Sequence, residues 1–232
     1  MGGRVFAITG AFGVLGQAVA RAAAAQGARL ALIDFARDTP AELMAALGDD
    51  VLLRGGVDLS DAAAADRAIG EAAGHFGGLD VLLNIAGGFR WEPVEEGGSG
   101  TWRKMFLANL QTAVNASRAA IPHLKASAAG RIVNVGANAA VRAAAGMGPY
   151  AASKAGVHRL TEALAEELKA DGVTVNAVLP SIIDTPANRA DMPEADFAAW
   201  VAPDDLAEVI LFLASVRAGS TTGALVPVTG RV

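Results

Sequence analysis

A tyrosine and a lysine four residues apart have the spacing of an acid–base pair. They are Tyr150 and Lys154 of the 232-residue chain, joined in the sequence Tyr-Ala-Ala-Ser-Lys. Residues four apart lie on one face of a helix, so the lysine ammonium would stand beside the phenol. A neighbouring positive charge stabilises the tyrosinate and brings the tyrosine pKa down from its ordinary value of ~10. The pair therefore predicts proton transfer to or from a substrate oxygen.

A glycine-rich turn near the start of the chain has the form of a phosphate-binding turn. It occupies residues 9–16 as Thr-Gly-Ala-Phe-Gly-Val-Leu-Gly, between a predicted strand and a predicted helix. Gly10 permits the tight turn, while Gly13 and Gly16 let the backbone approach a pyrophosphate at the positive end of the helix. Such turns also occur without a ligand, but the position between strand and helix favours a dinucleotide. The residues predicted to contact it are Gly10, Phe12, Gly13, Val14, Leu15 and Gly16.

Asp34 closes the second predicted strand and bears on the choice of cofactor. It lies 18 residues beyond Gly16. A carboxylate at this place accepts hydrogen bonds from the adenosine ribose hydroxyls and repels a 2′-phosphate. NAD(H) is therefore predicted to be preferred. Arg37 follows shortly after the strand and could pair with a phosphate, so NADP(H) stays open as an alternative.

The elements that must position these residues alternate between short apolar strands and alanine-rich helices. Near-continuous apolar strands joined by helical crossovers predict a doubly wound, Rossmann-type parallel α/β sheet with helices on both faces. We expect a single dinucleotide-binding and catalytic domain over residues 1–232. The predicted strands are Val5–Thr9, Leu30–Asp34, Val51–Val57, Val81–Ile85, Arg131–Val135, Val173–Leu179 and Leu225–Val228.

Composition excludes several other classes of protein. The chain has no cysteine, which rules out disulfides, thiolate metal sites and cysteine nucleophiles. Its net charge of −5 without a basic run argues against a nucleic-acid partner. Its apolar stretches are shorter than the ~20 residues of a membrane span, and its N-terminus lacks the features of a signal peptide. From these two features we expect a cytoplasmic protein. His75, His123 and His158 lack metal-ligand spacing, so we expect no metal site.

Five separated features, in this order and spacing, resemble the short-chain dehydrogenase/reductase family. They are the turn at residues 9–16, Asp58-Leu59, Asn84-Ile85-Ala86-Gly87, Asn109 and the segment from Tyr150 to Lys154. The resemblance covers essentially the whole chain. It implies a hydride transfer between a nicotinamide cofactor and a carbonyl/alcohol substrate, with Tyr150 as the acid/base.

The resemblance also implies roles for the other motif residues. Lys154 would hold the nicotinamide ribose hydroxyls, and Asn109 would support a proton relay through water. The further cofactor contacts that it implies are Asp58 and Leu59 beside the adenine, Asn84, Ala86 and Gly87 along the cofactor, and Pro180, Ile183 and Thr185 beside the nicotinamide. In the family, the helices that contain Asn109 and Tyr150 often build a homodimer or homotetramer. We therefore expect a homodimer or homotetramer; the alternative is that those faces are covered within a monomer.

One position departs from the family pattern in a way that concerns catalysis. The family usually has a serine thirteen residues before the tyrosine, and this chain has Ala137 there. A lost hydroxyl donor could cost ~3 kcal/mol of transition-state stabilisation, or ~100-fold in rate, unless Asn138 or a water replaces it. The surrounding stretch resembles dihydropteridine reductases, family members that also have alanine here, so a quinonoid pterin is an alternative substrate. A catalytically weak dinucleotide-binding sensor is the alternative of another class.

Two longer segments after strand ends, residues 87–100 and 180–203, are the predicted substrate loops, since ligands of such sheets bind there. Apolar and aromatic residues near them could form a pocket for a small-molecule substrate, although each could also be core. The predicted substrate contacts are Phe89, Ala137, Asn138, Met147 and Trp200.

Overall fold

The computed structural model describes residues 1–47 and 50–232, and seven strands in this part of the chain form one sheet. The strands are β1 (Val5–Thr9), β2 (Arg29–Ile33), β3 (Val51–Arg54), β4 (Val81–Asn84), β5 (Arg131–Val135), β6 (Thr174–Pro180) and β7 (Leu225–Val228). They are parallel and lie in the order β3-β2-β1-β4-β5-β6-β7. The predicted doubly wound sheet is confirmed.

Helices connect the strands. They are α1 (Val14–Ala25), α2 (Ala41–Ala46), α3 (Ala62–Phe76), α4 (Ser99–Met105), α5 (Thr112–Ala126), α6 (Gly148–Leu168), α7 (Pro186–Asp191) and α8 (Pro203–Ala214). A π-helical segment, Phe106–Gln111, joins α4 to α5, so residues 99–126 form one helical run. Short 3₁₀ turns cover Asn138–Ala140, Lys169–Asp171, Phe197–Ala199 and Val216–Ala218.

The helices cover both faces of the sheet because successive strand side chains point to opposite sides. In β1, Phe6 and Ile8 pack into the core formed with α1 and α8. The residue between them, Ala7, packs into the core formed with α3, α5 and α6. Both cores rely on small and aliphatic side chains, as the composition predicts.

Strand β3 ends earlier than the sequence predicts. Its apolar pattern runs on to Val57, but the strand stops at Arg54. Gly56 has a φ of +75°, which leaves the extended conformation. A Cβ built on Gly55 would lie 2.2 Å from the Arg37 carbonyl oxygen, so the chain turns away under the loop after β2. Residues 55–58 thereby move to the carboxyl end of the sheet.

The strand order reverses between β1 and β4, and this reversal creates the crevice used by ligands of such sheets. The turn after β1 and the turn after β4 meet there. A Cβ on Gly10 would lie 2.7 Å from the backbone of Ala86. The Thr9 Oγ1 accepts hydrogen bonds from the amides of Ile85 and Ala86 at 3.1 and 3.2 Å. These contacts fix the two sides of the crevice to each other.

Candidate active site

Helix α6 presents the predicted acid–base pair. Pro149 occupies its first turn, where a missing amide proton costs no helical hydrogen bond. Tyr150 is partly exposed, and Lys154 is buried one turn further along. The Lys154 Nζ donates a hydrogen bond over 2.7 Å to the carbonyl oxygen of Val135, the last residue of β5. The ammonium is thus tied to the end of the sheet.

Burial changes the proton affinity of both side chains. It raises the pKa of Tyr150 to about 12 and lowers the pKa of Lys154 to about 8, because removal from water disfavours the charged form of each group. The expectation that the lysine lowers the tyrosine pKa is therefore wrong for this arrangement, in which desolvation dominates. The Tyr150 hydroxyl keeps its proton at neutral pH, and Lys154 titrates about one pH unit above neutrality.

Asn109 is connected to Tyr150 through the side chain of Ser153. Asn109 is buried in the π-helical segment, a feature that often occurs at functional sites. Its Nδ2 donates to the Ser153 Oγ over 2.9 Å, and that hydroxyl donates to the backbone oxygen of Tyr150 over 2.7 Å. Its Oδ1 accepts a hydrogen bond from the amide of Gly88 over 2.8 Å. The amide side chain is therefore fixed at both ends.

Gly87 shows that these groups meet at one place. A Cβ on this residue would lie 2.6 Å from the Asn109 Oδ1 and 3.4 Å from the Lys154 Nζ. Phe89 follows two residues later and packs edge-on against the ring of Tyr150, with centroids 5.0 Å apart and an interplanar angle of 81°. The structure thus brings Tyr150, Lys154 and Asn109 together beside the turn after β4.

A cavity of about 150 Å³ opens at the carboxyl ends of β1, β2 and β4. Its lining includes six predicted cofactor contacts, Gly10, Asp34, Asp58, Leu59, Ala86 and Gly87. The other lining residues are Phe35, Val57, Ser60, Leu107, Ala108 and Thr112. The apolar walls suit a flat base, and the carboxylates suit sugar hydroxyls. The residues present therefore fit the adenosine part of a dinucleotide.

Asp34 also holds the walls of this cavity in place. One carboxylate oxygen accepts a hydrogen bond from the amide of Phe12, and the other accepts one from the amide of Ala36, both over 2.8 Å. The side chain thus ties the glycine-rich turn to the end of β2. Each carboxylate oxygen can accept more than one hydrogen bond, so the predicted bonds to ribose hydroxyls are still compatible with this geometry.

The glycine-rich turn has the predicted conformation, and its glycines are required for different reasons. Gly10 has a φ of +65°, which confirms the tight turn. A Cβ on Gly16 would lie 2.2 Å from the Gly10 carbonyl oxygen. The space at Gly16 is thus filled by the turn itself, so the lack of a side chain here serves the packing of α1 against the turn. The contact of Gly16 with a pyrophosphate stays a prediction.

The apolar residues of the same turn are divided between core and surface. Phe12 and Leu15 are buried in the core with α8, so their side chains do not face a ligand. A cofactor could reach their backbone only. Gly13 and Val14 are exposed where α1 begins, and the amides of that first turn have no partners within the helix.

Comparison with known proteins identifies the family. The family model for short chain dehydrogenases matches residues 4–196. The chain belongs to the short-chain dehydrogenase/reductase family. A 2,5-dichloro-2,5-cyclohexadiene-1,4-diol dehydrogenase of Sphingobium indicum is 34% identical over 247 residues, which cover 99% of this chain and 96% of the relative. The protein is an NAD(P)-dependent oxidoreductase of this family.

Solved structures of the family have the same fold. A glucose/ribitol dehydrogenase-type member from Brucella melitensis superposes with a TM-score of 0.91 at 30% identity, covering 99% of this chain and 96% of that one. The carveol dehydrogenase of Mycobacterium avium, solved in complex with NAD, superposes with a TM-score of 0.87 at 26% identity, covering 99% of this chain and 97% of that one.

In this short-chain dehydrogenase, Asn84 belongs to a buried network of polar side chains. Its Nδ2 donates to the Ser117 Oγ over 3.0 Å and to the Asn134 Oδ1 over 2.8 Å. The Asn134 Nδ2 in turn donates to the Thr161 Oγ1 over 2.8 Å. The network joins β4 and β5 to α5 and α6. The contact of Asn84 with a cofactor stays a prediction.

The three residues assigned to the nicotinamide side are positioned by the end of β6. Pro180 is the last residue of that strand, and Ile183 forms an isolated bridge with Val201. Thr185 caps α7, since its Oγ1 accepts a hydrogen bond from the amide of Asn188 over 3.2 Å. Their contacts with a cofactor also stay predictions.

The predicted substrate contacts have different surroundings. Ala137 is buried directly after β5, Asn138 is exposed, and Met147 precedes the first turn of α6. Phe89 is 51% exposed beside Tyr150. Trp200 is only 7% exposed and packs on the ring of Phe197, with centroids 4.8 Å apart. Phe89 is therefore accessible to a substrate, whereas the buried Trp200 is not.

Both predicted substrate loops contain ordered structure. In residues 87–100, the Trp91 Nε1 donates to the Ala145 carbonyl oxygen over 3.0 Å, and the Glu92 amide donates to that of Gly146 over 2.7 Å. This segment is thereby tied to the loop that precedes α6. Residues 180–203 include α7 and a 3₁₀ turn, because Thr185 and Asp196 cap them.

Several site residues were missed by sequence reasoning. Ser153 lies within the Tyr-to-Lys motif, and its position three residues after Tyr150 on a helix was the available signal. Leu107, Ala108 and Thr112 come from the helical run of Asn109, and no motif marks them. Only the packing of that run against the crevice makes them part of the cavity.

Two negative findings apply to residues 1–47 and 50–232. No group of three or more histidines, aspartates and glutamates in this part of the chain is arranged to bind a metal ion. None of its helices combines the length and apolar character required to traverse a bilayer.

Proposed function

We propose that the protein interconverts an alcohol and a carbonyl compound with NAD(H), and that Tyr150 transfers the proton. The observation that carries this proposal is that Lys154 and Asn109 meet at Gly87, which lines the 150 Å³ cavity, and that Ser153 connects Asn109 to Tyr150. A proton-transfer group and a crevice that fits the adenosine part of a dinucleotide then share one edge of the sheet.

The residues of this chain divide the work of binding. Asp34, Asp58 and the apolar walls of the cavity would hold the adenosine part of the cofactor. The exposed first turn of α1 would receive the pyrophosphate, because unpaired amides and the helix dipole favour an anion. When bound, the nicotinamide supplies or accepts the hydride.

The Tyr150 hydroxyl is the group that exchanges a proton with the substrate. In reduction the hydroxyl donates its proton to the substrate oxygen, and in oxidation the tyrosinate accepts the proton of the alcohol. The raised pKa, about 12, keeps Tyr150 protonated at neutral pH and therefore favours the donor role. Below a pH of about 8, Lys154 is an ammonium one helical turn from Tyr150, and its charge would offset part of the desolvation cost of the tyrosinate left after proton transfer.

Asp34 supports NAD(H) over NADP(H). Its carboxylate lies in the cavity lining and would repel a 2′-phosphate. Arg37 is exposed on the following loop, where it could still pair with a phosphate. The family relationship alone leaves both cofactors open.

We also propose a homodimer or homotetramer built through the helical run 99–126. Trp102 and Phe106 lie one helical turn apart on this run and are 40% and 49% exposed, so they offer adjacent apolar side chains that a second copy would cover. Light scattering of the purified protein would give the oligomeric mass directly.

The proposed activity is tested by steady-state oxidation of NADH, with NADPH in parallel, against ketones, aldehydes, quinones and quinonoid dihydropterin. We expect carbonyl turnover, and we expect Tyr150→Phe to lower kcat by a factor of ~10²–10⁴ while NADH binding is retained. Retained turnover in this variant would refute the role of Tyr150. Preferential pterin turnover would replace the substrate class, and NADH binding without turnover of any substrate would favour a sensor.

A further inference from the structure

His158 lies on the same helix as the acid–base pair, one turn beyond Lys154, and is buried. Its Nε2 accepts a hydrogen bond from the amide of Ala137 over 3.3 Å. The bond reaches across from α6 to the residue that stands where the family usually has its serine. The sequence offers His158 no metal-ligand spacing, and the proposed function assigns it no role.

Two side chains of α6 therefore hold the end of β5. Lys154 bonds the carbonyl oxygen of Val135, and His158 bonds the amide of Ala137, two residues later. These backbone groups point to the same side of the chain, because Ala137 continues the extended conformation with φ of −160° and ψ of 142°. The pair of bonds fixes both the position and the rotation of the backbone just before Asn138.

The sequence provides space for the imidazole. A Cβ on Gly136 would lie 2.6 Å from the His158 Nε2 and 2.8 Å from its Cδ2. The backbone of Gly136 is not left-handed, so the absence of a side chain here serves the histidine and not a turn. Gly136 and His158 thus form a matched pair between β5 and α6.

We propose that His158 is a positioning residue, whose imidazole holds the amide of Ala137 and so fixes the wall formed by Ala137 and Asn138 beside Tyr150. The bond occupies an amide that would otherwise be free to turn toward a substrate oxygen. The substrate oxygen is then directed to the Tyr150 hydroxyl and to a hydrogen-bond donor of Asn138. The proposal rests on the proposed function only in its kinetic consequences, since the hydrogen bond itself can be tested without turnover.

The contact requires a neutral imidazole, because only an unprotonated Nε2 can accept the amide. Burial, followed by the charges of Arg159 and Lys154, lowers the pKa of His158 from its ordinary value of 6.5. Both charged residues are on α6, while the described neighbours from the sheet, Gly136, Ala137 and Leu179, are uncharged. The contact is therefore intact at neutral pH and is lost only as the pH falls through the lowered pKa of His158, which lies below the ordinary value of 6.5.

The first test measures the hydrogen bond itself by amide hydrogen exchange at Ala137. His158→Leu should accelerate this exchange at least tenfold, whereas His158→Gln, which offers an acceptor at a similar reach, should restore protection. Gly136→Ala should accelerate it as well, because the added methyl displaces the ring while the histidine remains. Gly74→Ala in α3, where a Cβ meets nothing within 4 Å, is the matched control and should change nothing. Unchanged exchange in both His158→Leu and Gly136→Ala would overturn the proposal.

The second test is the pH profile of NADH-dependent reduction. We expect His158→Leu and Gly136→Ala to lower kcat by about 10- to 100-fold, as misplacement near a reacting group does, with little change in the KM for NADH. His158→Gln should retain most of kcat at pH 7.5 and should lack the acid limb of the wild-type profile. An acid limb that persists unchanged in His158→Gln would refute the positioning role. If the wild-type protein turns over no substrate, the proposed function fails, while the exchange experiment still decides the proposal.

Discussion

At the scale of single residues, the buried charge of Lys154 lowers the stability of the folded protein. The fully buried Lys154 ammonium has one hydrogen bond, to the carbonyl oxygen of Val135, and no carboxylate partner among residues 1–47 and 50–232. Its pKa falls from 10.5 to about 8 because burial penalises the charge. A difference of this size corresponds to roughly 3 kcal/mol that opposes folding at neutral pH. The Lys154 ammonium therefore lowers the stability of the fold, and its role in the proposed function accounts for its presence.

Lys154→Met should therefore raise stability while it destroys activity. Below pH 8 the lysine is protonated in both the folded and the unfolded chain, so the full cost of burial is present. As the pH rises from about 8 to 10.5, the folded chain loses its proton first and the cost disappears. After allowance for the lost hydrogen bond, we expect about 2 kcal/mol of added stability at pH 7, or roughly 4–8 °C in Tm.

Thermal unfolding at pH 7 and pH 10 measures this effect. The gain in Tm should shrink at pH 10, and the exposed substitution Lys104→Met on α4 should show no gain at either pH. A variant that melts below the wild type at pH 7 would show that the Lys154 ammonium stabilises the fold.

The sequence predicted the identity of the chemical residues better than their environment. Tyr150, Lys154 and Asn109 were found from spacing and order. Lys154 and Asn109 meet at Gly87, and Ser153 connects Asn109 to the backbone of Tyr150. The direction of the tyrosine pKa could not be found in this way, because it depends on burial by residues distant in sequence. Phe12 shows the same limit: the motif marks it as a predicted cofactor contact but does not state that its side chain points into the core, so that a ligand could reach only its backbone.

At the scale of elements, the contact between the turn after β4 and the π-helical segment decides the geometry of the site. Gly87 comes from the turn, and Asn109 comes from the segment. Motifs located both residues, but the sequence predicted only an ordinary helix around Asn109. A π-helical turn shifts the register of the residues that follow it, and its occurrence depends on packing against neighbouring elements rather than on local propensity.

Gly87→Ala and Gly88→Ala form a matched pair for this contact. The methyl added at Gly87 would lie 2.6 Å from the Asn109 Oδ1 and must displace it, whereas the methyl added at Gly88 meets nothing within 4 Å. Gly88→Ala also keeps the backbone amide that donates a hydrogen bond to the Asn109 Oδ1. We expect Gly87→Ala to reduce kcat by about tenfold or more, and Gly88→Ala to leave it within twofold of the wild type.

Steady-state kinetics with saturating NADH would compare the two variants, with Tm as the check on folding. A wild-type kcat in both Gly87→Ala and Gly88→Ala would mean that the position of the Asn109 side chain does not matter for turnover. A loss in both variants would instead assign the effect to stiffening of the turn.

At the scale of the whole molecule, the fold was predicted because its signals are repeated along the chain. Seven apolar strand patterns separated by helix-length segments leave few topologies open once crossovers are right-handed. The early end of β3 was not predicted, since it arises where Gly55 meets the loop after β2. The same loop carries Asp34 and Phe35, so this tertiary contact also shapes the cavity. Local patterns therefore determine the sheet, and contacts between distant turns determine the crevice.

Binding at this crevice should stabilise the entire fold in proportion to affinity. At a cofactor concentration 100-fold above Kd, mass action contributes about 2.7 kcal/mol, or roughly 5–11 °C in Tm for a chain of this size. We expect a larger Tm increase with NADH than with NADPH. Asp34→Asn should reverse or level this order, because it removes the charge that repels a 2′-phosphate but keeps an acceptor for the amide of Phe12 or Ala36.

Thermal shifts with both cofactors separate charge from structure at this position. Asp34→Ala would remove both amide bonds and could weaken all binding by releasing the glycine-rich turn, which is why the asparagine variant is the informative one. Asp66→Asn, an exposed change on α3, is the control and should preserve the wild-type preference. An NADH-to-NADPH ratio of Tm increases that is the same in Asp34→Asn as in the wild type would reject charge repulsion at Asp34 as the origin of cofactor choice.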